Sequence, residues 1–153
     1  MPSYLCRTLC SWETCAQDGL EHKDSWGTVY VYKPGAPGPH PRVNSENAVI
    51  KDIEKWEEQL TVPDLDHLDW TLVKEEAAKV DRREKLVGFM CAGGLFERSH
   101  HLMGMEEALV NYLEYPDEMA ALLRVIADYK IKYIKMVAET DPPDIIFITM
   151  TGF

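Results

Sequence analysis

The chain has 153 residues, of which 46% are hydrophobic and 27% are charged, and its formal net charge is −10. This composition fits a single globular domain, and the acidic excess disfavours nucleic acids and anionic membranes as partners, because their phosphates would be repelled. No apolar run reaches the roughly 20 residues of a membrane-spanning helix, and the first residues lack signal-peptide features, so we expect a cytoplasmic protein.

The first part of the chain predicts a strand and a stiff loop. Residues 1 to about 23 show no clear period. Alternating side chains from Ser25 to Tyr32 predict a strand or one arm of a hairpin. Residues 33–41, KPGAPGPHP, contain four prolines and two glycines and therefore predict an irregular, exposed loop.

Two helices are predicted next. Apolar residues recur at helical spacing between Val49 and Leu60, and Pro63 ends this pattern. A second helix is predicted from Trp70 to Arg83, with Asp69 as its N-cap.

The second half of the chain predicts one strand–helix–strand unit with a long crossover. Its elements are a buried strand from Leu86 to Ala92, helices from Phe96 to Leu102, from Met105 to Leu113 and from Pro116 to about Glu139, and a strand from Ile145 to Ile148 that is buried on both faces. Such an alternation predicts an α/β architecture with a parallel sheet.

The segment DSWG offers the first candidate site. Asp24 is a carboxylate beside an aromatic side chain, Trp26, and beside Gly27, which permits the close approach of a ligand. In the alternative interpretation, Asp24 starts a turn before a strand and Trp26 packs in the core.

The segment GGLFERSHHLMG follows the predicted buried strand, where α/β folds place their sites. Arg98, His100 and His101 could bind a carboxylate or move a proton. Adjacent residues of a helix point to different sides, so at most one of the two histidines faces a given site. Alternatively, Arg98 pairs with a neighbouring acid and both histidines lie at a solvated helix end.

The cysteines do not predict a metal site. Cys6, Cys10 and Cys15 are irregularly spaced and are followed by no clear second pair of ligands, so we expect free thiols. Cys91, near the end of the predicted buried strand, is expected to pack as a small apolar residue.

Together these segments resemble the uroporphyrinogen decarboxylase superfamily, which includes tetrapyrrole decarboxylases and cobalamin-dependent methyltransferases. The resemblance covers roughly residues 18–148 and depends on the order and spacing of DSWG with the following VYVYKPGAPGPHP, WEEQLTVPDLDHLDW, GGLFERSHHLMGMEEAL, YPDEMAALLRVIADYKIKY and PPDIIF. The DSWG and HHLMGMEEAL segments look more like the methyltransferase-type branch.

The resemblance implies a (β/α)8 TIM barrel with its ligand at the C-terminal mouth. It implies that Asp24 is the catalytic carboxylate, which accepts hydrogen bonds from pyrrole N–H groups and stabilises a cationic intermediate, and that it faces the mouth, so that Asp24→Asn should hardly affect folding. The substrate-binding residues expected around it are Trp26, Gly27, Arg98, His100 and His101. In the methyltransferases a zinc ion, held by a His-x-Cys pair and a distant Cys, activates the thiol that accepts the methyl group.

The departures from the family pattern define what this chain is expected to lack. A complete barrel needs about 250 residues, so the 153 present correspond to roughly its N-terminal half, a single partial domain with residues 1–17 unmatched. The zinc motif lies further downstream in the family, so no cofactor is expected in this chain. Where the family has an Asp-Asp-Trp-Gly-type turn, residues 148–153 read ITMTGF, which leads to the hypothesis of a broken or split gene.

Two functional hypotheses follow. In the first, the chain is a decarboxylase or methyltransferase of this family, acts on a small-molecule substrate, and is inactive without a complementary C-terminal half. In the second, it is a non-catalytic remnant or interaction protein. In either case an open barrel edge predicts that the isolated chain forms homo-oligomers or aggregates unless a partner covers that edge.

Overall fold

The computed structural model describes residues 4–6, 16–91 and 93–148 and shows a mixed α/β protein with two small sheets. The parallel sheet has the order β1-β5-β6, formed by Tyr4–Cys6, Val87–Cys91 and Ile145–Ile148. The antiparallel sheet has the order β2-β3-β4, formed by Glu21–Lys23, Val29–Val31 and His40–Pro41. No barrel closes among the described strands.

The helices lie mainly between β5 and β6. Before β5 come a 3-10 helix and two short α-helices, at Ile53–Lys55, Trp56–Gln59 (α1) and Thr71–Ala78 (α2). After β5 come Leu95–Met103 (α3), Met105–Glu114 (α4) and Pro116–Thr140 (α5). The predicted strand–helix–strand crossover is therefore present, and Pro116 occupies the first turn of α5, as predicted.

Helix α5 is the element shared by two hydrophobic cores. Its first half packs against α3, α4 and the loop after β2, in a cluster around Trp26, Leu102 and Leu122 that we call the hairpin–helix core. Its second half covers the parallel sheet through Tyr133 and Val137, which contact Phe89 and Cys91; we call this the sheet core. One 25-residue helix thus fixes the hairpin relative to the parallel strands.

The long helix predicted between Val49 and Leu60 is wrong, because only the 3-10 helix and the four-residue α1 form there. The backbone N–H groups of Val49 and Ile50 both donate to the carbonyl of Leu102, at 2.8 and 3.0 Å, rather than to a carbonyl one turn back. Asp52 then caps the 3-10 helix by accepting from the Glu54 N–H. A tertiary contact has therefore displaced the intrahelical bonds that the sequence pattern predicted.

Three smaller differences concern element ends. The loop over residues 33–41 is not wholly irregular, because His40 and Pro41 pair with Val31 and Tyr30. Helix α2 stops at Ala78 instead of continuing to Arg83. Asp69 does cap its start, accepting from the Thr71 N–H at 2.9 Å.

The two edges of the parallel sheet have features that the sequence pattern did not predict. Residues 4–6, within the segment expected to be unmatched, form β1 and pair in parallel with Val87–Phe89. At the opposite edge β6 is not buried on both faces: Ile146, Phe147 and Ile148 are 37%, 43% and 55% exposed. Because β6 pairs only with β5 among the described strands, one side of its backbone and much of its apolar surface face outward.

Candidate functional site

The DSWG segment forms a tight turn that leads into β3. One carboxylate oxygen of Asp24, Oδ1, accepts the backbone N–H groups of Trp26 and Thr28, both at 2.9 Å. The Gly27 N–H donates to the Asp24 carbonyl at 2.9 Å, and the φ of Gly27 is +84°, a conformation that favours glycine. The turn role expected of Asp24 in the alternative interpretation is thus present, and Gly27 serves that turn.

The second oxygen of Asp24 forms a buried ion pair with a residue from a distant part of the chain. Arg98 Nη1 donates to Asp24 Oδ2 at 2.7 Å, and the two side chains are only 9% and 1% exposed. The Arg98 guanidinium carbon lies 5.2 Å from the Trp26 ring centroid, and Tyr129 of α5 meets that ring edge-on at 4.8 Å. The pair is therefore enclosed by aromatic surface, where its electrostatic attraction is little screened by water.

His101 joins α3 to the hairpin. Its Nδ1 lies 3.0 Å from the Tyr30 hydroxyl, and its carbonyl accepts the Thr28 hydroxyl at 3.2 Å. Burial lowers the pKa of His101 to about 3, helped by the positive charges of neighbouring His100 and Arg98. The imidazole is therefore neutral at pH 7, and its hydrogen bond with the Tyr30 hydroxyl joins two uncharged groups.

His100 lies next to His101 on α3, and the two rings meet edge-on with their centroids 4.4 Å apart, although adjacent residues of a helix were expected to point to different sides. The His100 ring lies 5.2 Å from the Phe96 ring, outside the Asp24–Arg98 contact. Burial lowers its pKa, an effect that the nearby Glu97 carboxylate opposes. Next to it, the Ser99 hydroxyl donates to the Phe96 carbonyl at 2.8 Å and lies 3.0 Å from the Tyr112 hydroxyl, which fixes α3 against α4.

The structure brings together most, but not all, of the residues predicted from sequence. Arg98 contacts both Asp24 and Trp26 directly, and His101 lies on the same helix, one turn further along. Gly27 shapes the turn, and His100 contacts the ring of His101. We call the set Asp24, Trp26, Arg98 and His101, with the hydroxyl partners Thr28 and Tyr30, the buried polar cluster.

The expectation that Asp24 faces an open mouth is wrong for this chain. Its side chain is 1% exposed, because the turn encloses one oxygen and Arg98 covers the other. Asp24→Asn is accordingly expected to destabilise the fold, in contrast to the small effect predicted from sequence.

Sequence reasoning missed the hydroxyl groups of Thr28 and Tyr30 as members of the cluster. The signal was present in the alternation of Trp26, Thr28 and Tyr30, which indicates a common face of one strand. What the alternation could not indicate is that α3, more than 70 residues later, supplies the partner of both hydroxyls.

A small cleft adjoins the buried polar cluster through Tyr129. It has a volume of about 310 Å³, and apolar side chains of Val62, Leu65 and Val125 line it together with the charged groups of Asp64, Asp128 and Lys132. Tyr129 belongs both to this cleft and to the aromatic wall around Trp26. Asp24, Arg98 and His101 do not line it.

The zinc site of the methyltransferases does not fit the described part of this chain, which holds no group of three or more His, Cys, Asp or Glu residues able to bind a metal. Cys10 and Cys15 lie outside the described residues, and only the backbone of Cys6 is described. Cys91 is buried in the sheet core, 3.6 Å from Lys130 Nζ. In the part of the chain that the structure describes, no helix is long and apolar enough to cross a membrane.

Comparisons of the chain with protein-family models, with curated proteins and with solved structures give no match. The resemblance described above therefore depends on the sequence segments alone.

Proposed function

We propose that the chain is a uroporphyrinogen decarboxylase-family protein, of the tetrapyrrole decarboxylase or cobalamin/thiol methyltransferase type, that corresponds to roughly the N-terminal half of a (β/α)8 barrel. The observation that carries this proposal is the desolvated Asp24–Arg98 pair beside Trp26, since it unites two of the resembling segments, DSWG and GGLFERSHH. Supporting it, the parallel strands β5 and β6 are joined by a helical crossover of the kind that builds barrels.

The net charge of −10 disfavours an acidic substrate, but the buried polar cluster contains a group that can bind one. A guanidinium presents a planar fork of donors that matches a carboxylate, and Arg98 is already oriented by Asp24 and by the Trp26 ring. Asp24 provides a negative charge that is already oriented, so no free energy is needed to reorient it during a reaction. In decarboxylation, the C–C bond to the departing carbon dioxide breaks and a proton replaces it; the proposed role of Asp24 is to stabilise the positive charge of the intermediate.

The methyltransferase alternative would place the metal in the other half of the barrel. When bound there, zinc would activate the thiol that accepts the methyl group. The described residues offer no ligand set for it, so in this chain the cluster would orient substrate and exclude water.

A second candidate function, that of a non-catalytic interaction protein, is favoured by the geometry of Asp24 itself. Its carboxylate contacts are the backbone N–H groups of Trp26 and Thr28 and the guanidinium of Arg98, all internal to the chain. A carboxylate that is 1% exposed and held by these internal partners is suited to fastening the hairpin to α3.

Complementation distinguishes the two candidates. The chain is co-expressed with the C-terminal half of a full-length decarboxylase or methyltransferase of the family, and the purified pair is assayed for decarboxylation and for methyl transfer. We expect activity from the pair and none from either half alone. Failure to obtain a folded, active pair with halves of both types would contradict the enzyme proposal and favour the interaction protein.

Variants then test the site in the active pair. Asp24→Asn, assayed under conditions in which it remains folded, should lower turnover by about a hundredfold or more. Asp69→Asn is the matched control, since Asp69 is also a carboxylate that accepts a backbone N–H, but at an exposed helix start. His100→Ala and His101→Ala should differ from each other in activity, because His101 hydrogen-bonds to Tyr30, whereas His100 reaches the cluster through the His101 ring.

A further inference from the structure

Helix α4 carries an apolar surface that no described element covers. Its inner side is defined by Ala108, which is fully buried. On its outer side Met105, Leu109 and Leu113, at intervals of four residues, form one row along the helix and are 49%, 45% and 85% exposed. Val110, 41% exposed, widens this row by one position. We call these four residues the α4 row.

The surroundings of the α4 row are acidic. Glu107 and Glu114 lie three residues before and four residues after Val110, so they flank the row along one side of the helix. Glu106 is exposed within the same face. From Ser99 to Leu123 the sequence contains no lysine or arginine, and the start of α5 adds Asp117 and Glu118.

We propose that the α4 row is a docking surface for a basic amphipathic helix of a partner protein. Apolar residues of such a helix, repeated at intervals of three and four, would cover Leu109 and Leu113, and its lysines or arginines would reach Glu107 and Glu114. This proposal is independent of the function proposed above, since it uses neither the buried polar cluster nor the edge of the parallel sheet.

The negative charge around the α4 row favours a basic helix over two other occupants, a second copy of the chain and an anionic membrane. A second copy would bring a chain of net charge −10 and the same acidic face against this one. An anionic membrane would meet Glu106, Glu107 and Glu114 with its own negative charge. A basic helix satisfies both the apolar row and the carboxylates beside it.

The probe is a synthetic peptide of about 18 residues, five helical turns, with leucine on one face and lysine on the other. Its binding to the full chain is measured by fluorescence anisotropy. Two control peptides are used, one with the same composition in scrambled order and one with glutamate in place of lysine. We expect the first peptide to bind at least about tenfold more tightly than either control. Its affinity should fall as the salt concentration is raised.

Matched variants locate the binding surface. Leu109→Gln with Leu113→Gln should weaken peptide binding at least about tenfold, whereas Leu20→Gln with Ile131→Gln, which removes similarly exposed apolar groups elsewhere, should leave it unchanged. Glu107→Lys with Glu114→Lys should also weaken it about tenfold or more, and Glu75→Lys with Glu139→Lys, the same change of net charge on α2 and at the end of α5, should have at most a twofold effect.

Several results would overturn the proposal. The first is equal effects of the α4 variants and their controls, which would indicate nonspecific attraction between a basic peptide and an acidic protein. The second is absence of binding at millimolar peptide. The third is self-association of the chain that the Leu109→Gln, Leu113→Gln double variant abolishes, and the fourth is preferential binding to phosphatidylglycerol vesicles through the α4 row.

Discussion

An arginine–aspartate ion pair between distant parts of the chain lies at each of the two cores, and the two pairs differ in their exposure to water. In the hairpin–helix core, the Arg98 and Asp24 side chains are 9% and 1% exposed at 2.7 Å. Beside the sheet core, Arg82 reaches Asp141 at 3.0 Å and Asp144 at 3.4 Å, with side chains that are 29–36% exposed.

This difference indicates which contacts hold each core together. The exposed pair fastens the residues before β5 to the turn before β6, where water and salt screen it. Either charge of the buried pair would be very unfavourable in this site without the other, so we expect the hairpin and α3 to pack with both charges in place. Among the described residues, the hairpin–helix core thus combines apolar packing with a buried ion pair, whereas the sheet core has apolar packing on α5 and an ion pair near the surface.

The largest predicted effect comes from breaking the buried pair. Arg98→Ala leaves the Asp24 carboxylate buried without its cationic partner and should lower the free energy of unfolding by about 3–5 kcal/mol. Arg82→Ala, which breaks the exposed pair, should cost at most about 1 kcal/mol. Urea denaturation followed by circular dichroism measures both; equal losses would show that burial does not distinguish the two pairs.

The second prediction concerns pH and again separates the two cores. Because the pKa of His101 is lowered from 6.5 to about 3 in the folded protein, the unfolded chain binds more protons than the folded one between these values, so stability falls as pH decreases through this window. The expected slope approaches about 1.4 kcal/mol per pH unit below about pH 6.

Hydrogen exchange of backbone amides at pH 6 and pH 4 checks this prediction locally. Amides of α3 should lose protection at the lower pH before those of β5, because His101 lies in α3 and β5 contains no histidine. His101→Asn should flatten the pH dependence, whereas His67→Asn, at an exposed position, should not. An unchanged slope in His101→Asn would assign the acid sensitivity to other groups.

A third, smaller effect is expected at two glycines with positive φ. Gly27 in the Asp24 turn has φ +84°, and a Cβ there would lie 3.3 Å from Val49 Cγ2; Gly93 after β5 has φ +73° with no atom near that position. Gly→Ala should cost about 1–2 kcal/mol at both, from the backbone conformation, with the greater loss at Gly27. Thermal unfolding of the two variants measures the difference, and a greater loss at Gly93 would contradict the role given to the Val49 contact.

The smallest change in stability is predicted at β6, which pairs on one side only among the described strands. Ile148→Lys on β6 replaces a side chain that is already 55% exposed, so it should alter the free energy of unfolding by less than about 1 kcal/mol. It should nevertheless reduce self-association of the isolated chain, since a charge on an edge strand opposes strand pairing. Leu20→Lys, at 64% exposure, is the control.

Sedimentation velocity at micromolar concentration decides this last point. We expect the unmodified chain and Leu20→Lys to contain species larger than a monomer, and Ile148→Lys to shift toward the monomer. A sharp monomer peak for the unmodified chain, with cooperative unfolding, would contradict the prediction that the β6 edge drives association.

The sequence by itself determined the elements whose signals are local. Apolar periodicity and punctuation by glycine and proline located β5, α3, α4, α5 and β6, within about two residues of the observed ends. These features depend on bonds and sterics between residues close together in the chain.

Only the tertiary structure decided which polar groups of these elements form hydrogen bonds and ion pairs with one another. The short helices after Val49 depend on the Leu102 carbonyl, which takes two N–H groups from that segment, and the burial of Asp24 depends on Arg98, which lies 74 residues away. The exposure of β6 likewise follows from which strands lie beside it. A hydrogen bond or ion pair between distant residues leaves no periodic trace in a sequence, because its energy depends on geometry that exists only after the chain has folded.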